Sequence, residues 1–156
     1  MTQDVDVLSP RAAEVADELR AYLSKRFHIA MRLRQLAEGR GYRLFQVRKP
    51  RNRHLVYVRP VTALPPTREV GEVLVVALAE LIAMKVTALA RRRKQPKAGT
   101  DWRDLAALLL AFPELKKRSG PVRESLEAAG ASPEIFSTWD EIVAQEIVPA
   151  SEDEEF

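Results

Sequence analysis

The chain has 156 residues, 46% of them apolar and 30% charged, with no cysteine, which is the size of one ordinary domain with a core of its own. Without cysteine there is no disulfide framework, thiolate zinc site or cysteine nucleophile, and two histidines, His28 and His54, argue against a histidine-rich metal centre or a Ser-His-Asp hydrolase. The net charge is only +3, but twelve Lys/Arg lie between Arg20 and Arg59 against the single acid Glu38, while Glu124–Phe156 holds ten Asp/Glu and no base.

In chain order, Asp4–Leu8 reads as a short strand, and Ser9-Pro10 as an N-cap and first turn. Ala12, Val15, Ala16, Leu19, Tyr22 and Leu23 then recur at helical spacing, which predicts a helix to about Phe27. Strand chemistry follows in Ala30–Arg34, Arg43–Arg48 and His54–Arg59, separated by turns at Glu38–Gly41 and Pro50–Arg53. Connections this short favour an antiparallel meander, and the arginines between its apolar positions would share a sheet face or rim. After the prolines 60, 65 and 66, the β-branched run Val73–Val76 suits a buried fourth strand.

The second half is helical. Leu78, Leu81, Ile82, Val86 and Leu89 form an apolar stripe on a helix that ends in the cations Arg91–Lys94, well placed at the negative end of its dipole. Gln95–Gly99 reads as a loop, with Thr100 as N-cap of a helix through Phe112. Pro113 opens a short helical piece, Val122–Ala129 is closed by Gly130, and Ser132-Pro133 starts a last helix carrying Phe136, Trp139 and Ile142. The expectation is an α+β fold: a small mixed or antiparallel sheet of four or five strands, an N-terminal helix and a C-terminal helical half. Residues 1–150 form a single domain in this reading, and 151–156 an acidic tail that frays. No apolar run, Val73–Ala79 included, approaches the ~20 residues of a bilayer span. The first 25 residues carry acids and no signal-peptide core, so a cytoplasmic protein is expected. The oligomeric state is left open.

Three clusters could carry chemistry. On a strand, Asp4 and Asp6 project to one side, where paired carboxylates suit a hard ion such as Mg²⁺ with phosphate oxygens; a chance acidic turn before a helix gives the same pattern. Lys85 borders the apolar stripe of its helix, so it either snorkels or faces phosphate. Asp101 and Asp104 fall in a first helical turn, where acids stabilise the dipole without any catalytic role.

The order of these motifs resembles that of the minimal nucleotidyltransferases of the polymerase-β superfamily, in particular the AbiEii-type toxin group. Thr2-Gln3-Asp4-Val5-Asp6 is similar to the group's T-x-D-x-D strand. Ala79–Lys85 with Ala88, Leu89 and Arg92 resembles its L-x-x-L-I-A-x-K helix, and Asp101, Asp104 and Leu105 its D-x-x-D-L helix start. The resemblance implies that Asp4 and Asp6 hold Mg²⁺, that Lys85 neutralises triphosphate charge, and that Asp101, with Asp104, positions or activates an RNA or protein acceptor. The group's Gly-rich turn before the carboxylate strand has no counterpart here. The third carboxylate expected near His54–Arg59 is replaced by Val56, Tyr57 and Val58.

Two functions therefore stand side by side. One is Mg²⁺-dependent nucleotidyl transfer, intact or degenerate. The other is a non-enzymatic module whose basic strands and loop, with Arg43, Arg48, Lys49, Arg51 and Arg53, contact a nucleotide, a nucleic acid or an acidic partner. Tyr42, Phe45 and Tyr57 lie among those arginines and serve either as core or as stacking platforms. The acidic tail Ser151–Phe156 would compete for the same face.

Overall fold

The computed structural model describes residues 4–149; Thr2 and Gln3 of the strand motif and the tail Ser151–Phe156 lie outside the described residues. The chain divides into two compact units, Met1–Leu64 and Pro65–Phe156, each with its own apolar core.

The first unit contains β1 (Val5–Ser9), α1 (Ala12–Phe27), β2 (Met31–Gln35), β3 (Tyr42–Gln46) and β4 (Arg53–Pro60). Strands β2, β3 and β4 form the expected antiparallel meander, and β1 adds in parallel to β4, giving the order β1-β4-β3-β2. A parallel pair requires a crossover, and β1 reaches β4 only after the helix and the first two strands of the meander have intervened. Along each strand the apolar residues alternate, so one face buries Leu44, Val56 and Val58 against Ala12 and Ala16 of α1. Ser9 is the last residue of β1, held opposite Pro60, and so does not cap the helix from the N-cap position. Its Oγ accepts the Arg11 backbone N–H (3.0 Å), and the helix starts at Ala12.

The meander is interrupted at one point. Leu44 pairs with Val56, but Phe45 pairs with His54, leaving Leu55 as an extra residue on β4. This bulge sends Leu55 to the core and turns His54 to the face of Tyr57, which strict alternation would have denied it.

In the second unit, β5 (Thr67–Val70) and β6 (Val73–Val76) form a two-stranded hairpin. Its two-residue turn has Gly71 at φ 62° in the first central position, as a type II′ turn demands. The run Val73–Val76 is thus not a buried fourth strand: among the described residues it pairs with β5 alone, and Val73 and Leu74 are exposed. Apolar β-branched composition marked the strand but carried no information on what would cover it.

Helices α2 (Leu78–Arg91), α3 (Ala98–Ala111), α4 (Pro121–Ala128) and α5 (Pro133–Ala144) complete this unit. They enclose Ile82, Val86, Leu105, Leu109, Leu126 and Trp139. Helix α3 begins at Ala98, not after Thr100; Lys97 takes the N-cap position and its carbonyl accepts the N–H of Asp101, so Thr100 lies inside the first turn. Gly130, at φ 63°, follows α4 as expected. The architecture is α+β. Among the described residues no helix is long and apolar enough to cross a membrane.

Candidate functional site

In the first unit, directly paired positions point to the same side of the sheet, and two rows therefore cross the face opposite α1. The first is Asp6 on β1, Tyr57 on β4, Arg43 on β3 and Arg34 on β2. The second joins His54, Phe45 and Arg32, and Asp4 reaches His54, its Oδ2 lying 2.8 Å from Nδ1. Asp4 and Asp6 do share a face, as the D-x-D spacing predicts.

Each carboxylate faces a base from β4. Asp4 has His54, and Asp6 has the Arg59 guanidinium at 3.8 Å. Directly beside Asp6 in the ladder stands Tyr57, whose hydroxyl donates to the Arg40 carbonyl at 2.7 Å. The guanidinium carbons of Arg43 and Arg59 lie 5.3 and 5.8 Å from its ring centre, close enough for cation–π attraction. Arg48, Lys49 and Arg51 are exposed in the β3–β4 connection, and Arg53, also exposed, opens β4.

In the second unit, Lys85, Asp101 and Asp104 take part in two ion pairs that join α2 to α3. Lys85 Nζ is 2.5 Å from Asp104 Oδ2, and Arg92, at the end of α2, donates to both oxygens of Asp101 at 3.0 and 3.3 Å. Asp101 is only 5% exposed, so Arg92 compensates a desolvated charge, whereas Lys85–Asp104 is about one-third exposed on both sides. Truncating one member of a pair costs most when the other stays buried. Arg92→Ala is therefore expected to lower stability by about 2–3 kcal/mol, and Lys85→Ala by at most about 1 kcal/mol; equal losses in urea unfolding would contradict this assignment.

His54, Arg59 and Arg92 escaped sequence reasoning as partners of the acids. Only Arg92 had a signal, its place in the run of cations that closes α2. The other two depend on a strand pairing and a bulge that no local pattern announces.

Compared with family models, residues 1–150 match the nucleotidyl transferase AbiEii toxin, Type IV TA system. The chain belongs to that AbiEii family. Among solved structures, it resembles an antigenic nucleotidyltransferase-like protein from Paracoccidioides brasiliensis, at 19% identity and a TM-score of 0.41 over 89% of this chain and 75% of that one. No curated protein matches it.

AbiEii-family nucleotidyltransferases typically work with divalent metal ions. Asp4 and Asp6 are hard oxygen donors of the type Mg²⁺ prefers. They are opposed by His54 and Arg59, however, and the ladder position beside Asp6 holds a phenol. Among the described residues, no group of three or more His, Asp or Glu side chains is placed to hold a metal ion. These residues do not fit a two-metal transfer centre.

Proposed function

We propose that this chain is an AbiEii-family protein that keeps the nucleotidyltransferase fold and phosphate recognition but has lost transfer chemistry at its carboxylate pair. The observation that carries this reading is Tyr57 in register with Asp6, with Arg59 on the same carboxylate. Metal-assisted phosphoryl and nucleotidyl transfer depends on carboxylates that clamp metal ions while cations neutralise the phosphates. The Arg59 guanidinium lies 3.8 Å from Asp6 and opposes a cation there, and the Tyr57 phenol supplies no second carboxylate.

The test is a transfer assay with each labelled nucleoside triphosphate, Mg²⁺ or Mn²⁺, and total RNA or protein as acceptor. The wild type is expected to transfer no label above the Asp6→Ala background. Tyr57→Asp supplies a third carboxylate beside Asp6 and is expected to raise Mn²⁺ affinity about tenfold or more.

A second reading, Mg²⁺-dependent transfer, is favoured by one observation: Asp4, against His54, and Asp6, beside Tyr57, lie on one face at the edge of the sheet. In it, Lys85 neutralises triphosphate charge and Asp101, with Asp104, serves the acceptor. Label transfer by the wild type that is lost in both Asp4→Ala and Asp6→Ala would establish this reading and overturn the first.

A further inference from the structure

The face of the first unit's sheet opposite α1 carries donors that the carboxylate pair does not use. Arg32 and Arg34 alternate along β2, and Arg43 stands beside Arg34 on β3. All three are exposed, and among the described residues none of them is in an ion pair. Beneath and beside them lies a floor of half-buried rings: Tyr57, under the guanidinium groups of Arg43 and Arg59, and Phe45, whose ring centre is 5.1 Å from that of His54.

We propose that this face binds a single-stranded nucleic acid through its phosphodiester backbone, without a metal ion. Guanidinium forks match phosphate oxygens bidentately and remain charged at any physiological pH. Positions i and i+2 on a strand lie ~6.6 Å apart and neighbouring strands ~4.8 Å apart, so Arg32, Arg34 and Arg43 present three cations over β2 and β3 to an extended polyanion. The guanidinium planes that lie over Tyr57, together with the half-buried Phe45 ring, offer flat surfaces on which bases stack irrespective of sequence. That ring floor favours a nucleic acid over an acidic peptide, which has phosphate-like charge but no bases. Asp4 and Asp6 repel phosphate and confine the strand to the β2–β3 side. The inference goes beyond the loss of transfer chemistry and is carried by Arg32, Arg34 and Arg43, on which that reading does not depend, so either can fail alone.

The test is fluorescence anisotropy of the full chain with labelled single strands of RNA and DNA, about twelve nucleotides long, in EDTA and across a salt series. RNA and DNA are expected to bind alike. Three backbone contacts predict that log K falls by about 2 per log unit of salt, since each contact on a single strand contributes about 0.7. Arg34→Ala/Arg43→Ala is expected to lower that slope by about 1.4 and weaken binding at least tenfold; Arg32→Ala alone lowers it by about half as much. Arg68→Ala, which removes the same charge from the exposed hairpin, leaves affinity unchanged.

These substitutions lie at exposed positions, and thermal midpoints within a degree or so of wild type identify variants that report on binding. The proposal is overturned if the strand does not bind, if binding vanishes in EDTA, or if Arg68→Ala weakens it as much as Arg34→Ala does. It is equally overturned if a polyglutamate peptide competes as well as an unlabelled strand of equal charge.

Discussion

Replacing Gly41 with alanine is expected to destabilise the first unit by about 3–5 kcal/mol. Gly41 sits at φ 119°, a conformation that costs an L side chain dearly, and it is buried where β3 begins. A Cβ there would lie 2.3 Å from the Val58 carbonyl oxygen and 3.2 Å from both Arg59 Cα and Pro60 Cδ. The nearest atoms are backbone, so no rotamer change relieves the clash; the β3–β4 ladder must open. Gly41 also accepts the Leu36 backbone N–H at 2.8 Å, and its neighbour Arg40 accepts the Tyr57 hydroxyl. The same substitution should therefore loosen Tyr57. Urea unfolding followed by far-UV circular dichroism gives the magnitude, and faster amide exchange in β3 and β4 gives the location. A loss under about 1 kcal/mol, the range of ordinary substitutions, would show that the turn is not held as described.

The second large effect is at Trp139. Its side chain is fully buried among the helices of the second unit, packed in the core that includes Ile82, Leu105 and Leu126. Its indole N–H donates to the Lys117 carbonyl at 3.1 Å, fastening α5 to the segment before α4. Trp139→Ala removes the largest fully buried side chain and strands that carbonyl, for an expected loss of about 4–5 kcal/mol. Trp139→Phe keeps most of the apolar contact and loses the hydrogen bond, so about 1.5–2.5 kcal/mol is expected. Trp102, only partly buried, remains as the fluorescent reporter of unfolding. Equal losses in the two variants would mean that the hydrogen bond, and not the packing, holds the helix.

Where local pattern and tertiary packing agree, the elements were legible. Helical spacing in Ala12–Leu23 and Leu78–Leu89 marked α1 and α2, and short turns between alternating runs marked the meander. The fate of Val73–Val76 was not legible, because hydrophobicity states that a strand seeks cover and not whether it obtains it. The carboxylates were visible as D-x-D and D-x-x-D, yet their partners were not. His54 reaches Asp4 through a single inserted residue, Leu55, whose effect exists only once β3 and β4 pair. Tyr57 stands beside Asp6 because β1 and β4, about fifty residues apart in sequence, run parallel in one register. Lys85, Asp101 and Asp104 lie where α2 meets α3, a grouping no local pattern announced, and Arg92 completes the set and makes Asp101 part of a buried ion pair.

The most direct test of the central claim is isothermal titration of ATP, GTP, CTP and UTP into wild type and Asp6→Ala, with Mg²⁺ and with EDTA. If Tyr57 and Arg59 keep metal off the carboxylates, no nucleotide binds more tightly with Mg²⁺ than with EDTA, and Asp6→Ala does not weaken binding in either condition. Binding that requires Mg²⁺ and disappears in Asp6→Ala would make Asp4 and Asp6 a working metal site and contradict the account.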